Sequence, residues 1–194
     1  MVDEKFELSP RIELILANIK TVREIRRAFK EEGEAEIKRF LRFMIDNIRN
    51  KVAGIRSWEL TMEGGKSVAI YPGNQWKVRK DDYVAISLDF SNWGKLIDPG
   101  EDPWVGLRVP EDWSFKKGFK RKLNEALGRD FMSEWDEPED EWPVWAPVRY
   151  EDHVKGDTFD IEGFLGEFNE RISTLVSEKS IISRTIKQIQ RGPK

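Results

Sequence analysis

The stretch Tyr83-Val84-Ala85-Ile86-Ser87-Leu88-Asp89-Phe90 decides the fold. Val84, Ile86, Leu88 and Phe90 fall on one side of an extended chain, and Tyr83, Ala85, Ser87 and Asp89 on the other. A period of two with one apolar side is the pattern of a half-buried strand. Upstream, Trp58, Leu60 and Met62 alternate with Glu59, Thr61 and Glu63; Gly64-Gly65 supplies a hairpin turn, and Ser67–Tyr71 runs back. After the Pro72-Gly73-Asn74 turn, Trp76 and Val78 predict a third strand, and Trp104–Val109 reads as a fifth. Tight turns between neighbours predict an antiparallel sheet of about five strands. Val148–Glu151 is a candidate last strand.

On either side of this region the period changes to that of a helix. Ser9-Pro10 reads as a helix start, Ser as cap and Pro in the first turn. Ile12, Ile15, Ile19, Val22 and Phe29 recur at helical spacing, widened by Leu16 and Ile25. Gly33 is read as a break, and a second helix from Glu34 to Val52 turns Ile37, Phe40, Leu41, Met44, Ile45 and Ile48 inward, with Gly54 as its stop. The pair predicts an N-terminal helical hairpin. Ser114 can cap a short basic helix over 115–127, with Phe115, Phe119, Leu123 and Leu127 as its apolar stripe and Gly128 as its stop. Residues 130–147, acidic and rich in Trp and Pro, read as irregular. From Ile161 to Gln190 a last helix is predicted, its seam formed by Ile161, Leu165, Phe168, Ile172, Leu175, Ile182, Ile186 and Ile189 and broken only at Lys179. At 1.5 Å per residue it would be roughly 45 Å long, so part of it must wrap other elements or project. The expected class is α+β: helical hairpin, antiparallel sheet, short basic helix, and a long C-terminal helix packed on the sheet or on the N-terminal helices. No repeat or linker divides the chain, so one domain over 1–194 is expected. Its parts are 1–56 (hairpin), 57–110 (sheet), 111–156 (basic helix and acidic segment) and 157–194 (last helix).

Composition removes several chemistries. With no cysteine there is no disulfide, thiolate nucleophile or cysteine-bound zinc, and with one histidine, His153, no histidine-rich metal site. Gly64-Gly65-Lys66-Ser67 has the ending of a phosphate-binding loop, but Leu60 stands where the pattern needs Gly, and a strand follows instead of a helix. His153 has Glu151 and Asp152 beside it but no serine in a nucleophile motif, and reads as a surface-loop histidine. The acidic run Glu134, Asp136, Glu137, Glu139, Asp140 and Glu141 lacks the order of a calcium loop; it reads as solvated, or as a patch that docks on basic territory. No cofactor is implied. No apolar run reaches bilayer length, and the charged Met1–Lys5 lacks the order of a signal peptide, so a cytoplasmic protein without a membrane partner is expected. High Lys, Arg and Glu content with only Gln75, Gln188 and Gln190 is also the composition associated with thermophile proteins.

The net charge of −3 hides a segregation of sign. Residues 9–56 carry 12 basic and 7 acidic side chains, 115–130 six and two, and 131–160 two and ten. Lys20, Arg23, Arg27 and Lys30 step along one helix face, and Lys116, Lys117, Lys120 and Arg121 cluster on another; both could track phosphates, or simply be solvated. Of eight tryptophans, Trp135, Trp142 and Trp145 sit in the acidic segment and are the candidate partner-binding anchors, together with Lys179 in the helical seam.

Tyr83–Ser91 followed by Trp104–Val109, then Trp142-Pro143-Val144-Trp145, then the helix opening Asp160-Ile161-Glu162-Gly163-Phe164-Leu165, resembles the C-terminal, non-catalytic part of some prokaryotic PD-(D/E)XK nuclease-superfamily proteins. The resemblance spans about residues 80–190. That superfamily's signature, a Pro-Asp and a following Asp/Glu-x-Lys on adjacent strands, does not carry over: there is no Pro-Asp, Glu36-Ile37-Lys38 sits on a predicted helix, and Asp3-Glu4-Lys5 lies at the chain end. The resemblance therefore implies an accessory part without the active site. The sequence points first to a non-enzymatic binding protein acting as a nucleic-acid-binding accessory in nucleic-acid metabolism or defence. The alternative is a protein-interaction or assembly module, pairing with a protein partner or a second copy through the C-terminal helix. A third reading is a metal-dependent hydrolase or nuclease using Asp81, Asp82 and Asp89. The balance is against an enzyme.

Overall fold

The computed structural model describes Ser9 and residues 17–91, 102–156 and 158–191. Pro10, Ile12, Ile15, Leu16 and Trp93 lie outside these, as do the side chains of Ile25, Phe29 and Lys30. By its internal contacts the chain divides into two units, residues 1–36 and 37–194.

Helix α1 spans Ile19–Lys51. The expected hairpin is therefore replaced by one helix that continues through Gly33. A glycine inside a helix costs only about 1 kcal/mol relative to alanine, and Glu31, Glu32, Glu34, Ala35 and Glu36 around it are good helix formers. The stop comes at Gly54, whose φ of +87° is the left-handed conformation that ends helices.

The sheet has five antiparallel strands in sequence order: β1 (Glu59–Glu63), β2 (Ser67–Tyr71), β3 (Ala85–Asp89), β4 (Trp104–Arg108) and β5 (Val144–Pro147). Gly64 and Gly65, at φ +57° and +74°, make the β1–β2 turn. The central stretch behaves as read: Val84, Ile86, Leu88 and Phe90 are buried in the core. Two assignments change. Gly73–Trp76 is a 3₁₀ turn, and beyond it only an isolated bridge joins Lys77 to Tyr83. The last strand lies inside the Trp/Pro segment at 144–147, and Tyr150–His153 is a second 3₁₀ turn. Pro143 and Pro147 disguise this strand, because proline cannot donate to a ladder; β5 tolerates it because it is an outer strand with one neighbour.

Helix α2 (Lys116–Leu127) and the single turn α3 (Arg129–Met132) lie between β4 and β5. Phe115, not Ser114, occupies the cap position of α2, and makes no side-chain cap bond. A small hairpin of β6 (Val154–Lys155) and β7 (Thr158–Phe159) leads to α4 (Ile161–Ser177), capped by Asp160, whose carboxylate accepts the Gly163 N–H at 2.9 Å. The single last helix is interrupted at Glu178 (φ −86°, ψ 8°), after which α5 runs Lys179–Gln190. The break resolves the problem of length: α4 packs on β4, and α5 packs on α2.

The core lies between the sheet and the helices of residues 37–194. Phe90 of the sheet meets Phe168 of α4 at 5.5 Å between ring centroids and Phe40 of α1 at 6.0 Å. The helical seam is used here too: Leu175, Ile182 and Ile186 are each 1% exposed. Replacing a fully buried ring such as Phe90 or Phe168 by alanine costs about 3–5 kcal/mol.

Candidate nucleic-acid interface

The sequence-predicted residues fall into three groups. Lys20, Arg23 and Arg27 are exposed on α1 within the first unit; Lys30 is helical, with its side chain outside the described set. The lysines of α2 face carboxylates. Lys116 Nζ lies 2.9 Å from Glu141 Oε1 and donates to the Glu111 carbonyl. Lys120 Nζ lies 2.6 Å from Asp140 Oδ1, and Lys117 Nζ is 3.9 Å from the other oxygen of the same carboxylate. The hydrogen bond from Lys120, helped by its charge, holds the Asp140 carboxyl below the usual carboxylate range. Thus the acidic segment docks on the basic helix, and three of the four predicted phosphate contacts there are engaged within the chain. Arg121 is exposed and makes no ion pair among the described residues.

The tryptophans of the acidic segment do not stand free. Trp135 is buried, stacked on Phe131 at 5.9 Å with the Arg171 guanidinium 5.7 Å from its ring centroid. Trp142 and Trp145 are half-buried and meet Trp104 edge-on at 6.0 and 6.1 Å. Trp145 also donates its indole N–H to the Glu137 carbonyl at 3.0 Å. Trp142 and Trp145 thus pack the acidic segment against β4, and Trp135 packs it against α4. Lys179 is half-buried, its ammonium 5.4 Å from the Trp58 ring centroid, which explains how a charge is accommodated in the seam.

His153 is not a free surface-loop histidine. Its ring edge faces Phe164, and Nε2 lies 3.0 Å from Glu167 Oε2. The other oxygen of Glu167 accepts two hydrogen bonds from Arg171, at 3.0 and 2.9 Å. Among the described residues no three His, Asp or Glu side chains converge as a metal-ligand set.

A further basic surface, on α5, was not picked out in the sequence. Ser180, Ser183, Arg184, Lys187, Gln188 and Arg191 step by three, one, three, one and three along α5, which places them on one helix face. The opposite face, Ile182, Thr185, Ile186 and Ile189, is buried. Across from this polar face stands Gln75 of the first 3₁₀ turn, and together they line a groove of about 540 Å³. Arg184, Lys187 and Arg191 are exposed and make no ion pair among the described residues.

The groove is rigidly based. The indole of Trp76, which is fully buried, donates to Ser183 Oγ at 2.9 Å. Ser183 is thereby the acceptor of the buried indole N–H. Gln190 Nε2 donates to the Lys77 carbonyl at 2.9 Å, tying α5 to the same turn a second time. The lining offers cations, hydroxyls and amides and no carboxylate, a set suited to phosphate oxygens. Lys187 and Arg191 also sit at the C-terminal end of α5, where positive charge offsets the helix dipole, so part of their role is structural.

Comparison with protein-family models, with curated proteins and with solved structures finds no match, so the functional reading rests on the chemistry of the chain itself.

Proposed function

We propose that this chain is a non-enzymatic, nucleic-acid-binding accessory protein that holds a phosphate backbone along the exposed face of α5. One observation carries the reading: Arg184, Lys187 and Arg191 line a polar groove with no acidic side chain in it, whereas the lysines of α2 are paired with the chain's own acidic segment. The resemblance of residues 80–190 to an accessory part of nuclease-superfamily proteins points the same way. Pairing through the C-terminal seam is disfavoured, because Leu175, Ile182 and Ile186 are buried within the chain.

The test is a gel-shift titration with single- and double-stranded DNA and RNA between about 50 and 200 mM salt, the range over which phosphate contacts weaken most visibly. Binding at low salt that weakens steeply supports the proposal. No shift with any of the four nucleic acids at low salt ends it.

A further inference from the structure

The outer face of the sheet holds a second concave surface that phosphate binding does not use. Strand alternation puts Ala69 of β2 and Ala85 and Ser87 of β3 on the face opposite the core residues Val68, Ile70, Ile86 and Leu88. Small side chains leave the middle of that face low. Tyr71, Tyr83 and Arg108 rise around it, and the result is a hollow of about 440 Å³.

Its walls have a distinct chemistry. The rings of Tyr71 and Tyr83 stack with centroids 4.4 Å apart and planes 23° from parallel. Lys77 already places its ammonium 5.7 Å from the Tyr83 ring centroid, so this aromatic pair attracts a cation belonging to the chain itself. Arg108 is held by Glu63, reaching from β4 to β1, and Arg79 is held between Asp112 at 2.6 Å and Asp82 at 3.7 Å. These pairs fix the walls and leave two lining carboxylates, Asp81 and Glu111, exposed and without an ion pair among the described residues. On the same sheet face but outside the lining of the hollow, Ser87 stands opposite Ala69 in the register and is fully buried.

We propose that this hollow is a binding site for a small organic cation, an amine- or guanidinium-bearing molecule. Free carboxylates beside stacked aromatic faces attract such groups by charge and by the ring quadrupole together. The surplus of carboxylates over the single lining arginine turns anions away. A hard metal ion is a poorer fit, since it needs several converging oxygens, and here the carboxylates other than Asp81 and Glu111 are already held by arginine or lysine.

The test uses the full chain and agmatine, which carries one amine and one guanidinium, in isothermal titration calorimetry. Sodium chloride at matched ionic strength and the dianion glutarate serve as controls. The expected result is saturable binding of one agmatine per chain and none of glutarate. Tyr83→Leu should weaken binding about 2- to 30-fold, the range of one cation–π contact. Asp81→Asn with Glu111→Gln should weaken it further, while Glu170→Gln, on α4, should leave it unchanged. The Asp81 and Glu111 side chains are exposed, so that double variant folds even if Tyr83→Leu does not; circular dichroism verifies both. No saturable heat with agmatine, or binding that the Asp81/Glu111 variant leaves intact, overturns the proposal. The phosphate-binding groove is untouched by either variant, so nucleic-acid binding is unaffected by the outcome.

Discussion

Replacing Arg184 and Lys187 together by alanine removes two of the three exposed cations that line the α5 groove. If Arg184, Lys187 and Arg191 each meet one phosphate, three counterions are released on binding, and log K falls with log salt at a slope of about −2.7 for duplex DNA. Raising salt fourfold, from about 50 to 200 mM, then weakens binding about 40-fold. In the double variant one contact remains, the slope shrinks to about −0.9, and the same change in salt costs only about 3.5-fold. The slope is the informative quantity, because it counts phosphate contacts whatever the absolute affinity. Both side chains are exposed and both positions lie within α5, where alanine is the best helix former, so the fold should persist. Fluorescence anisotropy of a labelled duplex at four or five salt concentrations measures both slopes. A double variant with the parent slope would refute the placement of the site on α5. A matching loss of slope on replacing Lys117 and Arg121 instead would move it to α2.

Three further outcomes follow from the same structure. Asp140 is held below the ordinary carboxylate range, so its pairing with Lys120 stabilises the fold above the unfolded pKa and is lost as pH falls through the folded one. Tryptophan fluorescence of the acidic segment should therefore change below about pH 4, and Asp140→Asn should flatten that acid dependence; an identical acid profile in the variant would contradict it. Ser183→Ala strands the buried Trp76 indole N–H and should lower stability by about 1–3 kcal/mol in urea denaturation, whereas a change within error would mean that the bond contributes nothing. Gly33→Ala should raise helical circular dichroism and stabilise α1 by up to about 1 kcal/mol, since Gly33 lies in a helix interior; destabilisation would restore the hairpin turn that the sequence suggests.

The parts of this fold legible in the sequence are those where burial has a clean period. Val84, Ile86, Leu88 and Phe90 are all buried as their spacing predicts, although Ala85 and Ser87 between them are buried too, and the helical seam is buried from Leu165 to Ile189 except at Lys179, with Ile161 exposed; one strand and the closing helices could therefore be read directly. Where a single residue type carried the inference, it failed. Gly33 reads as a stop because glycine often is one, yet helix formers on both sides override it. Trp76 and Val78 offer only two positions of alternation, too few to separate a strand from a turn that buries one large ring. The internal pairing of the α2 lysines was illegible for a different reason. Lys116, Lys117 and Lys120 are dense in sequence, but their partners Asp140 and Glu141 lie more than a helix away along the chain, and pairing at that range has no local signature. The α5 stripe did have one, the spacing 180, 183, 184, 187, 188, 191; the apolar seam on the other side of the same helix drew attention from it.

The late arrival of β5 has a consequence for how the sheet assembles. β1 and β2 are joined by three residues, whereas β4 and β5 are separated by the 35 residues that hold α2 and α3. Closing the longer loop costs about 2 kcal/mol more in chain entropy, so β5 begins its pairing at the greatest disadvantage of any strand. The contacts of Lys116 and Lys120 with Glu141 and Asp140 fall immediately before Val144. They pinch the loop shut a few residues upstream of the strand and turn a distant search into a local one. In this light the charge segregation along the chain is a folding guide, delivering the last strand to its place.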